Sequence, residues 1–419
     1  MRKNLKALCF TGREHHVDKM HDTIIYLEKQ GVSFEYIVTN NVLNSDNYER
    51  PLADKQIAYE TVYEYLDENV MEAINKNNSL AQQHINDTLY SDSNILNYVE
   101  EFHVRFSMRD LVEVTELFRA VLSKKRPDFT FILHEANFWG KILAYVSHEM
   151  GIKTITLQEA PSFEYIDTLK FHPYQILAEY SSLVFLCGQR DLQAFKDYGC
   201  YSDNLRVVGP HQYDRIINRD EETHVNQLKH KYNIDDRKVV LLAVPSEYLL
   251  CGDRVELIQA VVEYISQHQD LFLLIRFHPS ETYWGKQLGY LWESYRNITW
   301  ENDTVIYDIF PIVDVCLLQE SNTRGDCLAF NIPIVEINFS TEHKVGRSFY
   351  KEGRADKISH PHELKKISEI VFHKKSEADP SAIAKFVEHH FYKLDGQVNH
   401  RIYNEISNLF NQENEANIP

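Results

Sequence analysis

The sequence predicts a two-domain α/β protein built on two doubly wound, mostly parallel sheets. Its length, 419 residues, exceeds what one hydrophobic core ordinarily organises. Short apolar runs alternate with stretches of helical periodicity over most of the chain, the pattern of successive βα units. The alternation also stops and restarts once. After "VVGPHQYDRI" a charged stretch, "NRDEETHVNQLKHKY", intervenes before a second series begins at "KVVLLAVPS".

In the first half, the runs at 5–10, 33–38, 129–134, 153–158, 183–188 and 205–209 read as strands. Between them, "ANFWGKILAYVSHEMG" reads as a helix, with Ile142, Leu143, Val146 and Met150 at helical spacing and Gly151 as its stop. Residues 41–125 break the rhythm. They are polar and contain helical pieces such as "DLVEVTELFRAVL" but no clear strand, which predicts a helical insertion in the first domain. The second series places strands at 238–246, 271–279, 298–302, 315–321 and 333–338. The expected plan is a first domain over 1–209, a linker over 210–235 and a second domain over 236–380. Helices and a frayed polar tail follow over 381–419.

The 43% hydrophobic and 25% charged residues are those of a soluble globular chain. A formal net charge of −18, with no block of Lys or Arg to outweigh it, argues against nucleic-acid partners. The N-terminal stretch lacks a signal-peptide apolar region, and nowhere do about 18 apolar residues run together. The expectation is a cytoplasmic protein, at most peripheral to the inner face of a membrane. Cys9, Cys187, Cys200, Cys251, Cys316 and Cys327 are scattered without a C-x-x-C and read as buried thiols. No D-x-D, P-loop, H-E-x-x-H or G-x-G-x-x-G after a strand occurs, so neither a metal nor a bound cofactor is expected.

Parallel α/β sheets bind ligands beyond the carboxyl ends of their strands, near helix N-termini that favour phosphate. In the second series those positions are Pro245–Ser246–Glu247, His278–Pro279–Ser280–Glu281 (after Arg276), and Glu320–Ser321–Asn322–Thr323. Hydroxyls and an imidazole at three strand ends suit a diphosphate. Ser246, Ser280 and Ser321 are equally good helix caps, and the two roles are compatible because both present donors at a helix start. Pro279 biases His278 away from helical backbone, which leaves its ring at a strand end, as a phosphate contact or as a hydrogen-bonded structural histidine. In the first series, Glu14, His15 and His16 follow the first strand, Glu135 the run at 129–134, and Glu159 the run at 153–158. Any of these carboxylates or imidazoles would serve as a general base.

"RFHP" after a strand, followed further on by "ESNTRGDCLAFNIPIV", resembles the motif pair in the C-terminal domain of GT-B glycosyltransferases. The nearest resemblances are to bacterial sialyl- and Kdo-type transferases, CDP-glycerol glycerophosphotransferases and UDP-GlcNAc 2-epimerase relatives. Ser321, Thr323, Asp326, Leu328, Asn331 and Pro333 fall on the frame S-S/T-T-x-x-E-A-L-x-x-G-x-P, with Asn322 and Asp326 as departures. "LRVVGPHQYDRI" and "GIKTITLQEAP" extend the likeness loosely, over roughly 125–340.

The resemblance implies two Rossmann-like domains facing across a cleft. It implies a metal-independent glycosyltransferase of polysaccharide biosynthesis. Such an enzyme moves a sugar, of nonulosonic-acid or Kdo type, from a nucleotide donor to a hydroxyl of a surface glycan or glycolipid. The donor-binding set it implies is Ser246, Arg276, His278, Pro279, Glu281, Ser321, Asn322, Thr323 and Asp326, with CMP or CDP donors ahead of uridine ones. Glu135, Glu159, His15 and His16 remain the candidate catalytic residues, because the acidic D/E-D/E-G motif of the sialyltransferases is missing. Inverting and retaining outcomes both stay open. The alternatives are a UDP-sugar transferase or 2-epimerase-like enzyme, a CDP-alditol phosphotransferase, and a non-catalytic nucleotide- or glycan-binding relic. The epimerase reading lacks the S-G-G-x-Q-E-E run, where this chain has "ESNTRGD".

The missing D-x-D generates a first prediction. Nucleotide binding, read as a rise in Tm, should be the same in excess EDTA as in magnesium. Loss of the rise on chelation, restored by magnesium or manganese, would contradict it.

Overall fold

The computed structural model describes residues 4–11, 14–38, 49–89, 98–133, 138–159, 161, 179–197, 202–247, 249–319, 321, 323–341 and 348–416. The first sheet contains β1 (Leu5–Thr11), β2 (Val32–Val38), β3 (Tyr59–Thr61), β4 (Phe129–Leu133), β5 (Lys153–Leu157), β6 (Leu183–Leu186) and β7 (Leu205–Val207). The second contains β8 (Lys238–Val244), β9 (Leu271–Phe277), β10 (Ile298–Trp300), β11 (Val315–Leu318), β12 (Ile334–Ile337) and β13 (Asp356–Ile358). Their orders are β3-β2-β1-β4-β5-β6-β7 and β10-β9-β8-β11-β12-β13, and every pairing is parallel. Both sheets are doubly wound, with the strand order reversing between β1 and β4 and between β8 and β11.

The described helices are α1 (Glu14–Lys29), α2 (Glu49–Asp54), α3 (Glu68–Leu89), α4 (Tyr98–Lys125), α5 (Phe138–Glu149), α6 (Gln189–Asp197), α7 (Asp214–Ile217) and α8 (Glu221–Tyr232). They continue with α9 (Arg254–Ser266), α10 (Tyr283–Gln287), α11 (Ile306–Ile309), α12 (Thr323–Ala329), α13 (Lys366–His373), α14 (Pro380–Phe391) and α15 (Val398–Ala416).

Strand alternation builds a core on each face of each sheet. In β1, Leu5, Ala7 and Cys9 face α1 and α15, whereas Leu8 and Phe10 face α4 and α5. In β8, Val239 and Leu241 face α8 and α12, whereas Val240 and Leu242 face α9 and α13. Strands buried on both faces are continuous apolar runs, which is why most of them were legible.

Two strands were not. The expectation of no strand in 41–125 is corrected by β3, which pairs with β2 through Tyr36↔Tyr59 and Val38↔Thr61. β13 likewise adds an edge beside β12. Each is three residues long, so backbone pairing at a sheet edge forms it without an apolar run. The expected helical segment also supplies part of the first-domain core. Leu117, Phe118, Val121 and Leu122 of α4 pack on Leu8, Phe10 and Ile132, so α4 is the crossover helix between β3 and β4. α3 lies outside it, with the Asn77 amide donating to Glu116 at 2.9 Å.

The helices expected after 381 are α14 and α15, and they part company. α14 adds Phe386 and Phe391 to the second domain. α15 returns to the first, where Val398, Ile402 and Ile406 join Leu5, Ala7 and Phe131. The start of α15 packs closely on the segment after β7. Gly209 there has φ +103, and an added Cβ would lie 3.0 Å from Val398 Cγ2.

Ile402→Ala should therefore destabilise the protein by about 2–5 kcal/mol in denaturant unfolding, as expected for truncation in a packed core. Leu80→Ala, on the exposed side of α3, should stay within about 0.5 kcal/mol of wild type. Similar effects at both positions would mean that α15 is not part of the first core.

Candidate functional site

Strand register sets the level of the candidate residues. Val244 of β8 is opposite Phe277 of β9, and Ala243 is opposite Leu318 of β11. Pro245–Ser246, His278–Pro279 and Gln319 therefore emerge side by side, at strand spacings of about 4.8 Å. In the first sheet Leu133 is opposite Leu157, so Gln158 and Glu159 emerge level with the end of β4.

The donor-side candidates occupy different surroundings. His278 and Pro279 are exposed at the mouth of β9, and Ser246 is half-buried beside them. The Ser321 hydroxyl donates to Thr323 Oγ1 at 3.1 Å and accepts the Thr323 amide at 3.2 Å, which orders the entry into α12. Arg276 turns toward the outer edge of the sheet, where its Nη1 donates to the Thr304 carbonyl at 2.6 Å. Both oxygens of Glu281 are engaged, by the Glu247 amide at 2.7 Å and by Arg254 at 2.6 Å. Asp326 is buried under the Tyr213 hydroxyl, which donates to it. Asn322 lies outside the described residues, as do Glu320 and the side chain of Ser280.

On the first domain, Glu159 is half-buried and its Oε1 pairs with Lys19 Nζ of α1 at 2.7 Å. His16 is buried in the first turn of α1, which begins at Glu14. Glu135 lies outside the described residues, as do the side chains of Glu14 and His15.

What joins the two halves is the linker. Gln212 Nε2 approaches the Glu159 carbonyl at 3.5 Å, and the adjacent Tyr213 reaches Asp326. Tyr213 packs against Tyr307 (5.4 Å between centroids), Phe330 (4.8 Å) and Phe391 (5.6 Å). Lys19 is close enough to Asp326 and to His211 to act on both electrostatically.

Burial pushes the Asp326 carboxyl up to about 6, against the Tyr213 hydrogen bond and the Lys19 charge. Burial and then Lys19 push His211 down to about 3, so that imidazole is neutral throughout the physiological range. The result is an ammonium–carboxylate pair on one side and a buried carboxyl on the other, with a neutral histidine behind. Among the described residues no group of three or more His, Cys, Asp or Glu is placed to hold a metal ion.

Lys19, Gln212, Tyr213 and Tyr307 were not anticipated. Lys19 sits on a helix with no motif around it, and the loose likeness of "LRVVGPHQYDRI" does not single out Tyr213. Two open cavities lie elsewhere. One, of about 720 Å³, runs along Leu66, Met71 and Asn75; the other, of about 570 Å³, separates Arg190 of α6 from Lys385 and His389 of α14. Neither of these two is lined by the residues at the strand ends.

Two Rossmann-like domains of this topology, with a final helix that returns to the first, define the GT-B fold, and the chain has it. It is similar to Staphylococcus aureus MnaA in complex with UDP (TM-score 0.61, 15% identity, 97% of each chain covered). It is similar to Neisseria meningitidis UDP-GlcNAc 2-epimerase bound to UDP-GlcNAc (TM-score 0.61, 12% identity, 96% of this chain and 100% of that one). It is also similar to the wall teichoic acid polymerase TagF (TM-score 0.59, 12% identity, 97% and 89%). At such identities the likeness establishes the fold. No protein-family model matches the sequence, and no curated protein matches it.

The Asp326 environment yields a pH test. Its folded pKa, about 6, lies above the unfolded value of 3.8, so the native state holds this proton more tightly. That stabilisation is complete below about pH 4 and is lost as pH rises through about 6. Asp326→Asn escapes the loss. Its stability relative to wild type should rise between pH 4 and 7 by up to about 3 kcal/mol in denaturant unfolding. His211 titrates identically in both proteins and cancels. A difference independent of pH would show that Asp326 is not buried as described.

Proposed function

We propose that the protein is a GT-B nucleotide-sugar enzyme that transfers a sugar, or a sugar-like phosphoalditol, from a nucleotide donor to a hydroxyl of a surface glycan or glycolipid. The observation that carries the reading is the span Glu159–Gln212–Tyr213–Asp326. It brings a first-domain Lys–Glu pair to the side of the second domain whose strand ends bear Ser246, His278, Ser321 and Thr323.

In this reading the donor phosphates lie at the switch point between β8 and β11. The Ser and Thr hydroxyls and the His278 ring hydrogen-bond them, and Lys19 supplies the positive charge that a diphosphate leaving group requires. Preorganised donors stabilise charge that develops on the leaving phosphate without reorganising, so the nucleotide needs no bound cation in this arrangement. The acceptor enters from the first domain, where Glu159, Glu135, His15 and His16 are the candidates for taking its hydroxyl proton. Contact with a glycolipid acceptor calls for no more than peripheral association with a membrane. No described helix is long and apolar enough to cross one.

CMP or CDP donors remain the first choice from the sequence motifs. A second reading, a UDP-sugar transferase or a 2-epimerase-like enzyme, is favoured by structural neighbours solved with UDP or UDP-GlcNAc bound.

Thermal melts with nucleotides test this reading. A nucleotide product at about 100 times its Kd should add about 2.7 kcal/mol to stability, a rise of several degrees in Tm. CMP and CDP outperforming UMP and UDP supports the first reading, and the reverse order supports the second. His278→Ala should leave the unliganded Tm nearly unchanged, because the residue is exposed, and should remove most of the rise. No response to any of the four nucleotides would reject both. With donor and acceptor in hand, Glu159→Gln should keep nucleotide binding and lower kcat by about 10²–10⁴ if Glu159 is the base.

A further inference from the structure

We propose that Arg254 is a positioning residue for the donor phosphates, acting through Glu281 on the loop 245–253. The proposal rests on the nucleotide reading above and names a part of that site which no motif indicated.

The loop joins β8 to α9 at the point where the strand order of the second sheet reverses. It is held from three sides. From the β9 side, Glu281 Oε1 accepts the Glu247 amide at 2.7 Å. From the β11 side, the Gln319 side chain makes a double contact with the Cys251 backbone, accepting its amide at 2.8 Å and donating to its carbonyl at 3.0 Å. Beyond β12, Ser340 lies so near Gly252 (φ +80) that an added Cβ would come within 2.9 Å of the serine Cβ. A ligand at this switch point meets a loop already fixed in place.

Arg254 completes the first of these holds. It opens α9, is 5% exposed, and its Nη2 bonds Glu281 Oε2 at 2.6 Å and Glu247 Oε2 at 3.0 Å. The guanidinium lies 4.7 Å from the ring centre of Trp284. Glu281 follows His278 by three residues, so one carboxylate ties the histidine turn, the serine loop and the start of α9 together. A bare carboxylate there would repel a diphosphate. With one oxygen on a backbone amide and the other on Arg254, its charge is offset and its position fixed. Removing Arg254 undoes both effects at once, loosening the loop and exposing the donor phosphates to an uncompensated negative charge.

This predicts a phosphate-specific loss. Binding of CDP, UDP, cytidine, uridine and inorganic pyrophosphate would be measured by calorimetry or by competition on wild type and on Arg254→Met, Arg254→Lys and Glu281→Ala. Arg254→Met should weaken the preferred nucleoside diphosphate and pyrophosphate by about 10- to 100-fold and leave the matching nucleoside within about twofold. Arg254→Lys should recover most of the affinity, because the two carboxylates converge on a single nitrogen. Glu281→Ala should also weaken the diphosphate, although it deletes a negative charge, and it decides the matter if Arg254→Met fails to fold. Tighter diphosphate binding by Glu281→Ala would make Glu281 a nearby charge and not a lock. Equal losses for nucleoside and diphosphate would make the cluster merely structural, and no loss would overturn the proposal. If wild type binds none of the five probes, the nucleotide reading itself fails, and this inference falls with it.

Discussion

The Asp214 carboxylate accepts the backbone amides of Val398 and Asn399, at 3.1 and 2.7 Å, and so caps the first turn of the helix that carries the chain back to the first domain. The residue is 4% exposed, and burial raises its carboxyl even with both amides pulling the other way. Around it Thr23 of α1 donates to Asn399 at 2.7 Å and meets His211 at 3.2 Å, while Arg401 donates to the Val208 carbonyl at 2.7 Å. Linker, first helix and last helix are thereby fastened at one point. Two domains with separate cores would otherwise be free to reorient, and the cleft residues would have no fixed relation to one another.

From that junction the linker runs directly into the site. Gln212 and Tyr213 precede Asp214, so the fastening that sets the domain angle also sets how far Glu159 stands from Asp326. Arg215, one residue on, bridges Asp22 of the first domain at 3.3 Å and Asp308 of the second at 3.1 Å. A second buried contact brings α14 against α6, where a Cβ on Gly188 would fall 2.2 Å from the His390 carbonyl oxygen. Glycine is needed there because backbone meets backbone.

The charge distribution has a clear economy. The chain is strongly acidic overall, yet the cleft side of α1 carries Lys19, and α9 opens with the nearly buried Arg254. Both cations are held by carboxylates, Glu159 in one case and Glu247 with Glu281 in the other. Cations kept in place by neighbouring acids remain oriented without a ligand, a form of preorganisation suited to binding phosphates. In the proposed reading, transfer and epimerisation would both use this half as the donor side, and the first domain would decide between them, because one fold hosts many reactions and its sites decide among them.

Read alone, the sequence determined the two parallel sheets and most of their strands, and it marked three strand ends of the second sheet as candidate ligand positions. Parallel strands buried on both faces must be continuous apolar runs, and ligand positions follow from where those runs stop. β3 and β13 escaped because three paired residues at an edge need no apolar pattern. The helical insertion was legible, but not that α4 within it serves as a crossover helix, because its polar surroundings masked one buried face. Tertiary structure alone decided that α15 belongs to the first domain and that Arg276 turns away from the strand mouth. It also decided that Glu281 is already bound by Arg254 and the Glu247 amide, and that Lys19, Tyr213 and Asp326 belong to one neighbourhood. Local periodicity reports which face of an element is buried. It does not report against what, and a charged side chain acquires its partner only when segments distant in sequence are brought together.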